Sequence, residues 1–275
     1  MQLGFCSQFI DEHINFAAES GITYMELEGT TEWSQLMQAS PEEIDRREAL
    51  LKQRCVKIGG IIHTNNFLSS DPAVAKNAQD EFSALLKFCA RFGGDVIATA
   101  TGKDDKLSLE DNVRKMVDVF GPMINAAEAL GIKVAFENCP SHNQLATTPH
   151  NWELIFNAID SPNLGLEFDP SHLVWQGVDY LAALKDFRHK VIRVHAKDTE
   201  IFDDKLGRMG FFADGWWTYR LPGYGSVDWA SIFRILRESG YDGLVNIEHE
   251  DPYFHGDRHW EGLRIAKRYL DQFVW

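Results

Sequence analysis

Eight short apolar runs, spaced by longer stretches of helical pattern, constrain this chain more than any other feature. They occupy residues 3–6, 23–28, 57–63, 95–101, 132–137, 164–169, 191–195 and 244–248. Continuous apolar runs of this length are what strands buried on both faces require. The intervening stretches carry helix punctuation. Ser40, Pro41 and Glu43 form a capping box with proline in the first turn. Ser108 and the Thr148-Pro149 pair open two further helices, and Gly21, Gly131 and Gly240 stand where helices end. Spread over 275 residues, eight units take about 34 residues each, the size of a unit in a (β/α)8 barrel. A doubly wound open sheet would announce itself with a glycine-rich phosphate turn, and no GxGxxG occurs. No linker interrupts the rhythm, so residues 1–275 read as a single α/β domain, a TIM barrel.

One connection breaks the rhythm. Residues 197–226 separate the seventh run from the next helical pattern, far above the usual few residues. They hold Trp216, Trp217, Tyr219 and Arg220, and a long aromatic connection of this kind reads as a lid over a binding pocket.

Parallel barrels do their chemistry at the C-terminal ends of the strands. Here those ends carry Glu26 and Glu28, His63, Thr99 and Thr101, and Glu137-Asn138. Then come Asp169 to His172, His195 to Asp198, and Glu248 to Asp251. Singly, each has an ordinary use: an Asp before Pro caps a turn, and a strand-end His packs. Runs five to eight, however, each deliver a carboxylate or an imidazole to one mouth. Such a group repels itself unless a cation sits within it. Three carboxylates and an imidazole suit one divalent ion, Mn²⁺ foremost, with Mg²⁺, Co²⁺ or Zn²⁺ also compatible.

With those residues in view, the chain resembles the sugar phosphate isomerase/epimerase superfamily of xylose isomerase-like barrels. The resemblance is carried by Glu137, by Asp169-Pro170-Ser171-His172, by Arg193-Val194-His195-Ala196-Lys197-Asp198 and by Ile247-Glu248-His249-Glu250. Pro222 to Trp229 also matches that family's PGxGxxDW pattern. The resemblance implies that Glu137, Asp169, His195 and Glu248 hold one metal, and that Glu137 and Glu248 are the catalytic acid/base pair. His172 would bind a substrate oxygen. His63, Glu28 or Glu26, Asn138, Lys197, Trp216, Trp217 and Arg220 would complete the pocket. The implied reaction is sugar isomerisation or epimerisation, by removal of a proton next to a carbonyl through a metal-stabilised enediolate. The same first step supports a second reading, a lyase that eliminates the group from a 3-keto-glycoside. A non-catalytic sugar-binding barrel is a third. If the glutamates only bind metal, the base falls to His63, His142, His172 or Lys197.

Two relatives of that superfamily fit less well. Apurinic endonucleases need extra histidines where this chain has Thr99 and Thr101, and classical xylose isomerases are longer. The net charge of −14 argues against a nucleic-acid partner. No apolar run approaches the roughly 18 residues of a membrane span. Four cysteines without a CxxC pair, and a start unlike a secretory signal, point to reduced thiols in the cytoplasm. Cys139 reads as a packing residue. The expected partner is a small sugar or keto-sugar, and a homo-oligomer is compatible with the sequence.

Overall fold

The structure, a computed structural model, describes residues 1–140 and 144–274; His142 lies outside them. The strands are β1 (Gln2–Ser7), β2 (Tyr24–Glu28), β3 (Lys57–His63), β4 (Val96–Thr99), β5 (Lys133–Glu137), β6 (Leu164–Phe168), β7 (Val191–Ala196), β8 (Asp198–Ile201), β9 (Trp217–Arg220) and β10 (Leu244–Ile247). All except β8 and β9 join in one closed barrel, ordered β1-β10-β7-β6-β5-β4-β3-β2 with β2 returning to β1. Every barrel pairing is parallel. The eight runs read from the sequence are thus the eight barrel strands. No described helix is long and apolar enough to cross a membrane.

The predicted punctuation is in place. Ser40 and Glu43 form a reciprocal capping box on α3 (Pro41–Arg54). Gly21 ends α1 (Asp11–Ser20) at φ 74°, where a side chain would be strained. Ser108 caps a later helix (Leu109–Glu128) through the Asp111 amide. Thr148 makes no side-chain cap, and Pro149 alone marks that helix start (Pro149–Ala158).

Strand alternation splits the strand residues into two sets. One set, including Phe5, Met25, Leu27, Ile61, Ile97, Val134, Phe136, Leu166, Phe168, Val194, Val245 and Ile247, is buried in the main hydrophobic core with helix residues such as Phe82, Phe120, Trp152 and Leu263. At roughly 1.5–3 kcal/mol per buried side chain, this outer shell holds the fold together. The other set faces the barrel axis and is unusually polar: Glu26, Glu167, Arg193, His195 and Asn246 are all at most 5% exposed. Small residues make room for it. A Cβ at Gly4 would collide with Asn246 Oδ1.

The long connection is a built arm. β8 and β9 pair antiparallel, from Asp198 opposite Arg220 to Ile201 opposite Trp217, and a short helix (Asp203–Met209) lies between them. The buried Asp198 carboxylate organises its return: it accepts from the amides of Gly223 and Val227 at 3.0 Å and from Trp229 Nε1 at 3.1 Å. A Cβ at Gly225 would strike the same carboxylate. The PGxGxxDW pattern is therefore the local solution for wrapping a turn around one buried acid.

Candidate active site

Glu137 ends β5, and Asp169 follows β6 directly. Asp169 divides its oxygens between two tasks. Oδ1 caps the next helix (Pro170–Trp175) by accepting from the Ser171 amide at 2.8 Å. Oδ2 is buried with no hydrogen-bond partner. Asn138 locks this geometry, donating to the Asp169 carbonyl and accepting from its amide, both at 2.8 Å.

His195, fully buried on β7, has a carboxylate against each side of its ring. Nδ1 lies 3.2 Å from Glu137 Oε1 and 3.0 Å from Glu248 Oε2. Nε2 lies 2.8 Å from Glu26 Oε2 and 3.2 Å from Glu167 Oε1. Asn246 also donates to Glu26 Oε2, at 2.9 Å. Burial, and then the Glu26 charge, push the Glu167 carboxyl well up. Burial also opposes charge on Glu26, but the bond and charge of His195, with Glu167 and Arg193, together outweigh it and hold that carboxyl low.

Donor atoms of Glu137, Asp169, His172 and Glu248 lie within 4.8 Å of one another. His172 Nε2 is 3.2 Å from Asp169 Oδ2 and 3.5 Å from Glu137 Oε1, while its Nδ1 meets Tyr219 Oη at 2.8 Å. This group differs from the expected ligand set, with His172 in place of His195, while donor atoms of His195, Cys6 and Glu26 form a second group of the same compactness. His195 adjoins the first group through Glu137 and Glu248. Asp169 Oδ2 and His172 Nε2, neither with a hydrogen bond and 3.2 Å apart among carboxylates, suit a divalent cation.

Lys197 brings positive charge to the same place. Its buried ammonium lies 2.7 Å from Glu248, 2.9 Å from Glu250 and 3.3 Å from Asp169, and 4.6 Å above the Tyr219 ring. Burial works against its charge, but these carboxylates outweigh it and keep the amine protonated. In Glu248 the opposition of burial is likewise overcome, by Lys197 and His195, and the carboxyl lies well below the usual range. In Glu137 the bonds from His172 and His195 overcome burial and bring the value to about 2. Both glutamates are therefore ionised at neutral pH.

A cavity of about 350 Å³ opens over this cluster, lined by Glu28, Trp33, Glu137, Cys139, His172, Lys197, Tyr219, Glu248 and Glu250 among others. Its size lies within the roughly 300–1,000 Å³ of small-molecule sites. A cavity at the opposite end of the barrel surrounds Arg193, which is tied to Asp95 and the Gly59 carbonyl.

Several expected pocket residues are engaged elsewhere. His63 does not line the cavity; its Nε2 pairs with Glu81 at 2.8 Å. Asn138 is spent on the Asp169 backbone. Trp217 stacks on Trp175 with ring centroids 4.7 Å apart, and Trp216 Nε1 donates to the Phe211 carbonyl at 3.3 Å. Arg220 pairs with Glu200 and Asp251. These residues hold the arm in place, and of its aromatic side chains Tyr219 reaches the cavity. Sequence reasoning gives no site role to Glu167, Asn246 or Arg193. Period-two alternation back from His195 and Glu248 was the available signal for Arg193 and Asn246.

Residues 14–271 match the family model described as xylose isomerase-like TIM barrel. Inosose isomerase of Bacillus subtilis is 25% identical, over 68% of this chain and 66% of that protein. Inosose dehydratase of Clostridium botulinum is 25% identical, over 77% of this chain and 76% of its own. The crystal structure of IOLI protein with a binding zinc atom superposes with a TM-score of 0.82 at 22% identity, covering 100% of this chain and 98% of that one. With the barrel closed and the family model spanning nearly all of it, the chain belongs to the xylose isomerase-like TIM barrel family.

Proposed function

We propose that this protein is a divalent-metal-dependent isomerase or epimerase that moves a proton at the carbon next to the carbonyl of a sugar or cyclic keto-sugar. The observation that carries the reading is the pair of ionised glutamates, Glu137 and Glu248, both against His195 Nδ1 and both lining one cavity. Glu137, Asp169, Glu248 and either His172 or His195 would hold the metal. Its oxygen-rich donor set favours Mn²⁺ or Mg²⁺, and the zinc in the IOLI relative keeps Zn²⁺ in play. When bound, the metal supplies Lewis-acid polarisation of the substrate carbonyl, which acidifies the neighbouring C–H.

The rest is the work of this chain's own side chains. A carboxylate held as low as Glu137 is a weak base, so it acts by position: it must touch the C–H it deprotonates. Glu248 is the partner that returns the proton, from another side in epimerisation or at the neighbouring carbon in isomerisation. With His195 on the metal, His172 orients a substrate oxygen through Nε2, its own ring held by Tyr219 Oη. The arm carrying Tyr219 covers one side of the cavity and excludes water there.

A second reading, a lyase, is favoured by Lys197. An ammonium 2.7 Å from Glu248 can protonate a departing oxygen, and one relative is named as a dehydratase. Incubating Mn²⁺-loaded protein in D₂O with free ketoses, inososes and 3-keto-glucosides separates the readings. An isomerase or epimerase incorporates deuterium and conserves the carbon skeleton with all its oxygens. A lyase releases water or an aglycone. No exchange with any of them would remove both.

A further inference from the structure

Next to the candidate active site lies a second cavity, of about 660 Å³, between the loop after β2, the loop after β3 and the first turns of α4 (Pro72–Phe92). Trp33 and Thr64 line both cavities, so the two share a wall. The walls are pinned. Thr30 Oγ1 donates to the Thr64 carbonyl at 3.4 Å and accepts from the Thr64 amide at 2.9 Å, which ties one loop to the other. The same threonine's amide donates to Glu28, on the active-site side, at 2.6 Å.

The lining is chemically specific. Glu81 is set in place by His63 at 2.8 Å and by Asn65 and Asn77, which donate to it at 3.0 and 3.1 Å. Asn65, Asn77, Thr31 and Glu32 add amide, hydroxyl and carboxylate groups, and among the described residues no aliphatic Leu, Ile, Val or Met side chain lines the space. The indole of Trp33, 51% exposed, stands at the divide. An aromatic aglycone would set an apolar face against these amides and carboxylates and use none of their hydrogen-bonding capacity. A phosphate would meet Glu32 and Glu81. A sugar ring offers what the walls require: hydroxyls that donate to carboxylates and pair with amides, and a C–H face that lies on an indole.

We propose that this second cavity is a subsite for a second sugar ring, so that the substrate is a keto-sugar within a glycoside and not a free monosaccharide. The proposal rests on the reading of the barrel mouth as a sugar site. Trp33 is then the platform between the two rings, and the His63–Glu81 pair belongs to the second subsite.

Calorimetric titration of Mn²⁺-loaded protein tests this, with D-fructose as reference and the ketose disaccharides lactulose, maltulose, turanose and isomaltulose as probes. At least one disaccharide should bind ten times more tightly than fructose or better. Asn77→Trp, which fills the second cavity from an exposed helix position, should bring that ratio close to one. Glu81→Gln should lower it without filling any space. Fructose binding with no disaccharide advantage, or an advantage that survives Asn77→Trp, would overturn the second subsite alone. If neither fructose nor any disaccharide binds, the sugar reading of the mouth fails and the subsite falls with it.

Discussion

The two sides of the His195 ring face carboxylates at similar distances, yet they belong to different regions. On the Nδ1 side, Glu137 and Glu248 open onto a cavity and stand beside Lys197, His172 and Asp169. On the Nε2 side, Glu26 and Glu167 are sealed within the barrel, with Asn246 as a neighbour. The mouth has space for a ligand beside its donor atoms. The interior holds its charges against one another. Residue type alone therefore says little about role: a carboxylate acts as acid, base or ligand where it borders a cavity, and as a positioning group where it borders only protein.

The sharpest test of this contrast is at the mouth. Glu137→Gln and Glu248→Gln keep an oxygen donor and remove the basic site. Each should lower deuterium exchange at the carbon next to the carbonyl by the roughly 10²–10⁴-fold typical of a lost acid or base. Retention of near-normal exchange with metal bound would make that residue a ligand only.

The interior should behave differently. Glu26→Gln leaves a shape-matched group against His195 Nε2 but removes the charge that orients the ring. Metal affinity, measured by chelator competition, should weaken by about 10–100-fold. Asp169→Ala, at the mouth, should abolish stoichiometric metal binding. Equal affinity in wild type and Glu26→Gln would erase the distinction between the two sides.

A smaller effect is expected from the arm. Tyr219→Phe removes the hydroxyl that holds His172 Nδ1. A single hydrogen bond of this kind is worth about 0.5–1.5 kcal/mol, so kcat/KM should fall by roughly 2–10-fold with metal content unchanged. Loss of metal instead would place the hydroxyl in support of the metal ligands.

A separate effect, on stability and not on activity, lies outside both regions. Burial, aided by His259 and opposed by Glu12, depresses His13 to about 4 in the folded state. Unfolded, a histidine titrates near 6.5, so the unfolded chain takes up the proton first as pH falls. The stability contributed by neutral His13 is therefore complete above about pH 6.5 and lost between there and about pH 4. Urea midpoints at pH 7 and pH 5 should differ less in His13→Gln, whose side chain can still accept from the Gln8 amide. An unchanged difference would show that His13 adds nothing to acid sensitivity.

The barrel was legible in the sequence because strand burial on both faces and helix punctuation are local properties. The eight runs, the Ser40 capping box and the Gly21 cap needed no tertiary information. The mouth residues Glu137, Asp169, His195 and Glu248 were legible as strand ends, since strand direction decides which end carries them.

What only the tertiary structure decided is where each side chain spends its hydrogen bonds. Asn138 and His63 look like pocket residues from their positions, but close partners more than fifteen residues away in the chain claim them. His172 enters the donor cluster because the helix after Asp169 turns it back toward the mouth, where Tyr219 holds it. Glu167 meets His195 only because β6 and β7 are neighbours in the closed barrel. Periodicity assigns a residue to a face of its own strand. Strand pairing and barrel closure determine what it finds there, and these depend on contacts between segments far apart in the chain.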